Sequence, residues 1–168
     1  YSFEEPAVSN RLTPFIDLAL EYGLRVTMVN PAGGTYWNAD HPAFNHLALD
    51  VEQANRGGFL IRTLREIGVA WRVLRAAPDE SDYMVITVPS MFLLFLSGRA
   101  RARRRLLDVR DLTWEYLGDH SVVRRWSKYL FRFLARRSMP RFDLVSVTCE
   151  GERAALSRWL EVPADRFV

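Results

Sequence analysis

Four apolar runs in this chain end on residues equipped for chemistry. They stop at Asn30-Pro31, Pro89-Ser90, Arg110-Asp111 and Cys149-Glu150. The third is the most informative, because Leu106, Leu107, Asp108 and Val109 run straight into Arg110 and Asp111. A carboxylate such as Asp111 can take a proton from a hydroxyl as a general base. A guanidinium such as Arg110 can hold a phosphate or a carboxylate through paired N–H donors. In a parallel sheet the carboxyl ends of the strands share one edge, and ligands bind just beyond it. Four polar ends converging there define a candidate site. The competing reading is that each residue caps the following helix or pairs with a neighbour.

Other chemistries find less support. No G-x-G-x-x-G follows a strand and no G-x-x-x-x-G-K-[ST] occurs, so there is no phosphate-cradling fingerprint. Gly57-Gly58 reads as a joint between loop and helix. His41, His46 and His120 lack metal-ligand spacing and read as structural or solvent-exposed. The single cysteine, Cys149, excludes an internal disulfide and a cysteine-based zinc site. A small α/β hydrolase or nucleotide enzyme would need a nucleophile elbow or a Gly-rich loop, and neither is present. No metal and no resident cofactor is expected in this chain.

The charge is concentrated. The net charge is only +3, yet residues 99–137 carry 12 basic residues against 4 acidic ones, and arginine supplies 22 of the 23 basic residues in the whole chain. Such a zone calls for an anionic partner. Its first part, Arg99, Arg101, Arg103, Arg104 and Arg105, directly follows Phe92, Leu93, Leu94, Phe95 and Leu96. An apolar tip with Phe92 and Phe95, backed by Arg99, Arg101, Arg103 and Arg104, has the makeup of an interfacial contact with an anionic membrane. Its second part is a stripe of Arg125, Lys128, Arg132 and Arg136 with no acidic residue between 124 and 137. That stripe is equally read as the solvated face of a helix whose apolar face packs on a sheet. Nucleic acid is not expected, since no RNA- or DNA-reading motif accompanies the charge. No run of 18 apolar residues exists to span a bilayer and no signal peptide is visible. The expected location is the cytoplasm, peripheral on the inner face of the cytoplasmic membrane.

The elements that must position these residues alternate between helix and strand. Thr13-Pro14, or a start nearer Ser9, opens a helix with Phe15, Leu18, Ala19 and Tyr22 on one face, and Gly23 stops it. Arg25 to Val29 reads as a strand, and Gly33 to Pro42 as a loop with exposed-looking Tyr36 and Trp37. A helix from Gly58 carries Leu60, Leu64, Ile67, Trp71 and Leu74 as a stripe and ends at Pro78. Tyr83 to Val88 is a buried strand, Met91 to about Arg104 a helix, and Leu106 to Arg110 the next strand. Ser121 to Arg137 is a helix with Val122, Trp126, Tyr129, Leu130 and Phe133 on one face. Asp143 to Thr148 is a strand and Glu150 to Leu160 a helix. This alternation predicts an α/β fold: a single Rossmann-like, open, mainly parallel sheet with helices on both faces. With 168 residues it is expected to form one domain over 1–168. Its usual first strand is missing and the chain starts at Tyr1 without Met, so the numbering is expected to begin inside the natural protein.

The order of these pieces resembles the N-terminal half of a GT-B glycosyltransferase of the retaining, family 4-like type. Arg11 through Val29 resembles that family's first helix and second strand, and Asp82 through Ser90 its "D.vi.ssps" segment. Leu106 through Glu115 is similar to its "v..vrDlwpe" segment, and Phe142 through Leu160 to "aD.vi..s...r..l". Val162 through Val168 resembles the run into the interdomain linker.

The resemblance implies the acceptor side of an enzyme that transfers a sugar from a nucleotide sugar (UDP-, GDP- or similar) to a lipid-linked or polysaccharide acceptor. Members with the "vrDlwpe" segment often build bacterial surface polysaccharides. The partner implied is a C-terminal donor domain of the same protein, absent from this chain, without which the chain is expected to be inactive. Asp111 matches the family's cleft aspartate. Ser9, Asn10 and Arg11 match the loop-to-helix stretch near the donor phosphates, but Ala7-Val8-Ser9-Asn10 replaces the usual Gly-Gly. Acceptor or phosphate contacts are thus expected from Ser9, Asn10, Arg11, Ser90, Arg110 and Glu150. Arg110 stands where many members have His, and Cys149 where they have Ser or Thr. The alternative is a non-catalytic α/β module that binds an anionic membrane or a phosphate-containing partner.

Overall fold

A computed structural model describes residues 6–31, 36–51, 58–88, 91–112, 115 and 121–168. The chain divides into two compact units, Tyr1–Pro78 and Asp79–Val168. Every described strand pairing is parallel, and the strands fall into sheets of two and three. The α/β reading of the sequence holds in both units.

In the first unit, helix α1 (Pro6–Glu21) leads to strand β1 (Val26–Pro31), strand β2 (Phe44–Leu49) and helix α2 (Phe59–Ala76). Helix α1 starts earlier than Thr13, and Pro14 lies inside it. Its end is set by Gly23, whose φ of 71° suits glycine. There the Gly23 N–H bonds the Leu20 carbonyl and the Leu24 N–H bonds the Ala19 carbonyl, a Schellman stop. The inward face of α1 is Leu12, Ile16 and Leu20, which pack with Tyr36, Phe44, Val26 and Met28. The face expected from the sequence points outward, with Phe15, Leu18 and Tyr22 exposed. Tyr36 is buried rather than exposed, while Trp37 is exposed as expected. Strand β2 has no counterpart in the sequence reading, and it pairs along β1 from Val26↔Phe44 to Pro31↔Leu49. Among the described side chains of α2, Ala70 and Val73 are buried, whereas Leu64 and Trp71 of the expected stripe are exposed.

The second unit holds β3 (Ser81–Val88), α3 (Met91–Leu96), β4 (Ala102–Val109), α4 (Val122–Ser138), β5 (Leu144–Val147) and α5 (Glu150–Leu160). Strand order is β3-β4-β5, so β4 is central. Leu107, Asp108 and Val109 are consecutive and all buried, as expected of a strand covered on both faces. Val88, Leu94, Val145, Phe142, Ala135 and Leu156 are also inaccessible to solvent, at 1% exposure or less.

Helix α3 is one short element and not the long helix expected. It ends at Leu96, a turn covers Ser97–Arg99, and β4 begins at Ala102. The arginine cluster therefore sits mostly on a strand. Parallel pairing with β3 accounts for this, with Arg104 opposite Tyr83 and Arg105 opposite Met84, and exposed ion pairs accompany it: Arg103 meets Asp82 at 3.4 Å and Arg104 meets Asp143 at 2.9 Å. Asp143 also accepts the Arg105 backbone N–H at 2.8 Å. That backbone N–H, together with the Arg104 guanidinium, holds the Asp143 carboxyl below its ordinary range.

Candidate functional site

The carboxyl edge of the β3-β4-β5 sheet brings together Arg110, Asp111, Thr148, Cys149 and Glu150. Arg110 continues the ladder one residue beyond β4, its N–H bonding the Val88 carbonyl at 3.1 Å. On the other side the Thr148 hydroxyl reaches the Arg110 carbonyl at 3.5 Å. Thr148 is itself tied to α5, because Glu152 accepts both its backbone N–H, at 3.0 Å, and its hydroxyl. This is a relative of the capping box, with the glutamate of the first turn reaching back past the cap. Asp111 is exposed at this edge, and the next residue, Leu112, is buried.

Glu115 anchors the far end of the same segment. Its N–H bonds the Leu112 carbonyl at 2.8 Å. Its carboxylate accepts two bonds from Arg132 on α4, at 2.7 and 2.5 Å, and faces Lys128 Nζ at 3.6 Å. The guanidinium of Arg132 also lies 4.6 Å from the ring centroid of Trp159. Asp111 is thus carried by backbone fixed on both sides and presents its carboxylate to solvent. Such preorganisation suits a group that orients or deprotonates a substrate hydroxyl.

One register step behind this edge, Thr87, Asp108 and Ser146 form a polar row across the three strands. Asp108 is fully buried in it. The sequence reading passed over Asp108, Thr148, Glu152 and Glu115. The spacing of Thr148 and Glu152 was the one available signal.

Of the expected site residues, Arg110, Asp111 and Glu150 share this edge. Ser90 lies outside the described residues. Ser9, Asn10 and Arg11 belong to the first unit and are not at a helix start: they are interior to α1, which begins at Pro6. The N–H groups of Asn10 and Arg11 are therefore committed to the helix ladder rather than to a phosphate. Also in the first unit, His46 Nε2 lies 2.7 Å from Oδ1 of the buried Asn30. An open depression there is lined by Leu49, Asp50, Val51, Arg72, Arg75 and Ala76.

The expected membrane tip is corrected by the structure. Phe92 is 6% exposed, and its ring meets Phe131 edge-on at 6.1 Å. Phe95 stacks on the same ring at 6.0 Å. These two phenylalanines pack α3 against α4 and are not a solvent-facing tip. Arg103 and Arg104 are engaged by acids, and they lie at the opposite end of β4 from Asp111. Six residue steps of extended chain, about 20 Å, separate Arg103 from Val109. Arg99 closes the turn after α3, and Arg101 is exposed.

Among the described residues no group of His, Cys, Asp and Glu is placed to hold a metal ion. Among them, too, no helix is long and apolar enough to cross a membrane. No curated protein matches the chain. The sequence profile of the glycosyl transferase 4-like domain matches residues 19–168, from the second half of α1 to the last residue. The chain belongs to the glycosyl transferase 4-like domain family.

Proposed function

We propose that this chain is the acceptor-binding side of a glycosyltransferase that moves a sugar from a nucleotide sugar to a lipid-linked or polysaccharide acceptor, in the assembly of a bacterial surface polysaccharide. The observation that carries this reading is the solvent-facing Asp111, held at the carboxyl edge of the sheet in a chain of this family. In this reading Asp111 accepts a hydrogen bond or proton from the attacking acceptor hydroxyl. Arg110 and Glu150 flank it and orient the acceptor, Arg110 through an anionic group where the acceptor has one. The nucleotide sugar itself is held by a donor domain of the same protein, and the chemistry takes place with both present.

The test is sugar transfer by the protein that carries this domain, with and without Asp111→Asn. The expected result is a kcat lower by about 10²-fold or more with an unchanged melting temperature. An unchanged kcat removes Asp111 from the reaction.

A further inference from the structure

Helix α4 packs within the second unit through one face, and another face is left uncovered among the described residues. Phe131, Ala135 and Ser138 point into the core. Val122, Trp126, Tyr129, Leu130 and Phe133 lie on the face turned away, each at least half exposed, with Trp126 at 69% and Phe133 at 62%. Their spacings of 4, 3, 1 and 3 make one continuous apolar strip. It runs most of the length of a helix about 25 Å long. Apolar strips of this extent on a protein surface mark a contact.

The charges around the strip say what kind of contact. Helix α4 has six basic residues and no acidic one. Three of the six are paired with acids on neighbouring segments, Lys128 and Arg132 sharing Glu115 and Arg136 meeting Glu161. Arg124, Arg125 and Arg137 are exposed and form no ion pair with the described residues. Arg125 sits beside the start of the strip and Arg137 falls four residues after Phe133, at its end, whereas Arg124, seven residues before Phe131, lies on the side of the helix turned to the core. Trp126 and Tyr129 each pair an apolar ring with a polar handle, which suits the boundary between headgroups and acyl chains.

From this juxtaposition we propose that the outer face of α4 docks on an anionic lipid bilayer. The helix lies in the plane of the surface, Trp126, Leu130 and Phe133 enter the acyl boundary, and Arg125 and Arg137 meet lipid phosphates. The docking element is α4 and not the buried α3 tip. This goes beyond sugar transfer: lipid binding needs neither donor nor acceptor, so its failure leaves the transferase reading standing.

The experiment is co-sedimentation of the full chain with vesicles of phosphatidylcholine alone and of phosphatidylcholine mixed with phosphatidylglycerol. Binding is expected to the mixed vesicles and not to the neutral ones. Trp126→Ser with Phe133→Ser, and separately Arg125→Glu with Arg137→Glu, should each weaken it at least about tenfold. All four positions are exposed, and circular dichroism checks that each variant is folded. A second measurement needs only a mild change. Brominated lipids should quench the tryptophan fluorescence of the wild type, and Trp126→Phe should remove most of that quenching. The proposal is overturned if the wild type ignores anionic vesicles, if the variants bind as well as it does, or if Trp126→Phe is quenched equally. It is also overturned if the strip is found covered by a second copy, seen as a dimer in solution that Trp126→Ser with Phe133→Ser dissociates.

Discussion

Glu115 and Arg132 form a two-point ion pair, Nε to Oε1 at 2.7 Å and Nη2 to Oε2 at 2.5 Å. Only 13% of the glutamate side chain and 29% of the arginine side chain remain accessible. The pair fastens the segment after Asp111 to α4. Removing Glu115 leaves Arg132 and Lys128 facing each other without the carboxylate between them. Glu115→Ala is therefore expected to cost about 2 kcal/mol, less than a fully buried pair because solvent screens part of it. Lys128→Ala keeps the two-point pair and should cost under about 1 kcal/mol. Urea unfolding of the two variants measures the difference, and equal costs would show that the bidentate geometry contributes nothing.

Two glycines make opposite predictions from the same backbone argument. Gly23 has a φ of 71°, and a Cβ there would meet nothing within 4 Å. The cost of Gly23→Ala is then purely conformational, about 1 kcal/mol. Gly68 lies inside α2, where a Cβ also meets nothing. Gly68→Ala should stabilise by about 0.5–1 kcal/mol, since alanine restricts the unfolded chain and favours helix. Thermal melts of both variants check the sign directly.

Tyr36 donates its hydroxyl hydrogen to Asp17 on α1, and Trp37 Nε1 donates to the same oxygen at 3.1 Å. Burial, and then the bond to the Asp17 carboxylate and the charge it carries, push the Tyr36 hydroxyl up to about 12 from an ordinary value of 10.0. The folded state thus keeps a proton that the unfolded state releases. The stability this provides is complete below pH 10 and is lost as pH rises from there through about 12. Tyr36→Phe should flatten that alkaline loss and remove the latest-titrating tyrosine from the ultraviolet titration. A wild-type protein whose tyrosines all titrate together near 10 would contradict it.

Much of this architecture could be read in advance, and the failures have a common cause. The apolar runs of β3, β4 and β5 and the polar residues after them are local patterns, so the strand ends at Arg110-Asp111 and Cys149-Glu150 were legible. Helix α1 was legible as a helix but not in its orientation. It carries two apolar stripes of similar period, and Phe44 and Tyr36, far along the chain, select Leu12, Ile16 and Leu20. Strand β2 was hidden because Asn45 and His46 interrupt its apolar pattern, and pairing with β1 supplies what the residues alone do not. The arginine run looked helical because the strand it pairs with, β3, and its exposed ion-pair partners Asp82 and Asp143 are remote in sequence. Glu115 was silent for the same reason, since its partners lie on α4.

The two aromatic surfaces of the second unit have exchanged the roles their sequences imply, and stability measurements can tell them apart. Phe92 sits in a run of apolar residues before a basic cluster, yet it is 6% exposed and shares Phe131 with Phe95. Trp126 sits on a helix face that periodicity would assign to the core, yet it is 69% exposed. Truncating a buried phenylalanine removes its transfer energy and leaves a cavity, so Phe92→Ala should cost about 3–5 kcal/mol. Truncating an exposed tryptophan leaves no cavity, so Trp126→Ala should stay within about 0.5 kcal/mol of wild type. Denaturant midpoints of the two variants decide between the orders. If Trp126→Ala proved the more damaging, α4 would present its aromatic strip inward, and both the packing of Phe131 and the bare face of the helix would have to be reassigned.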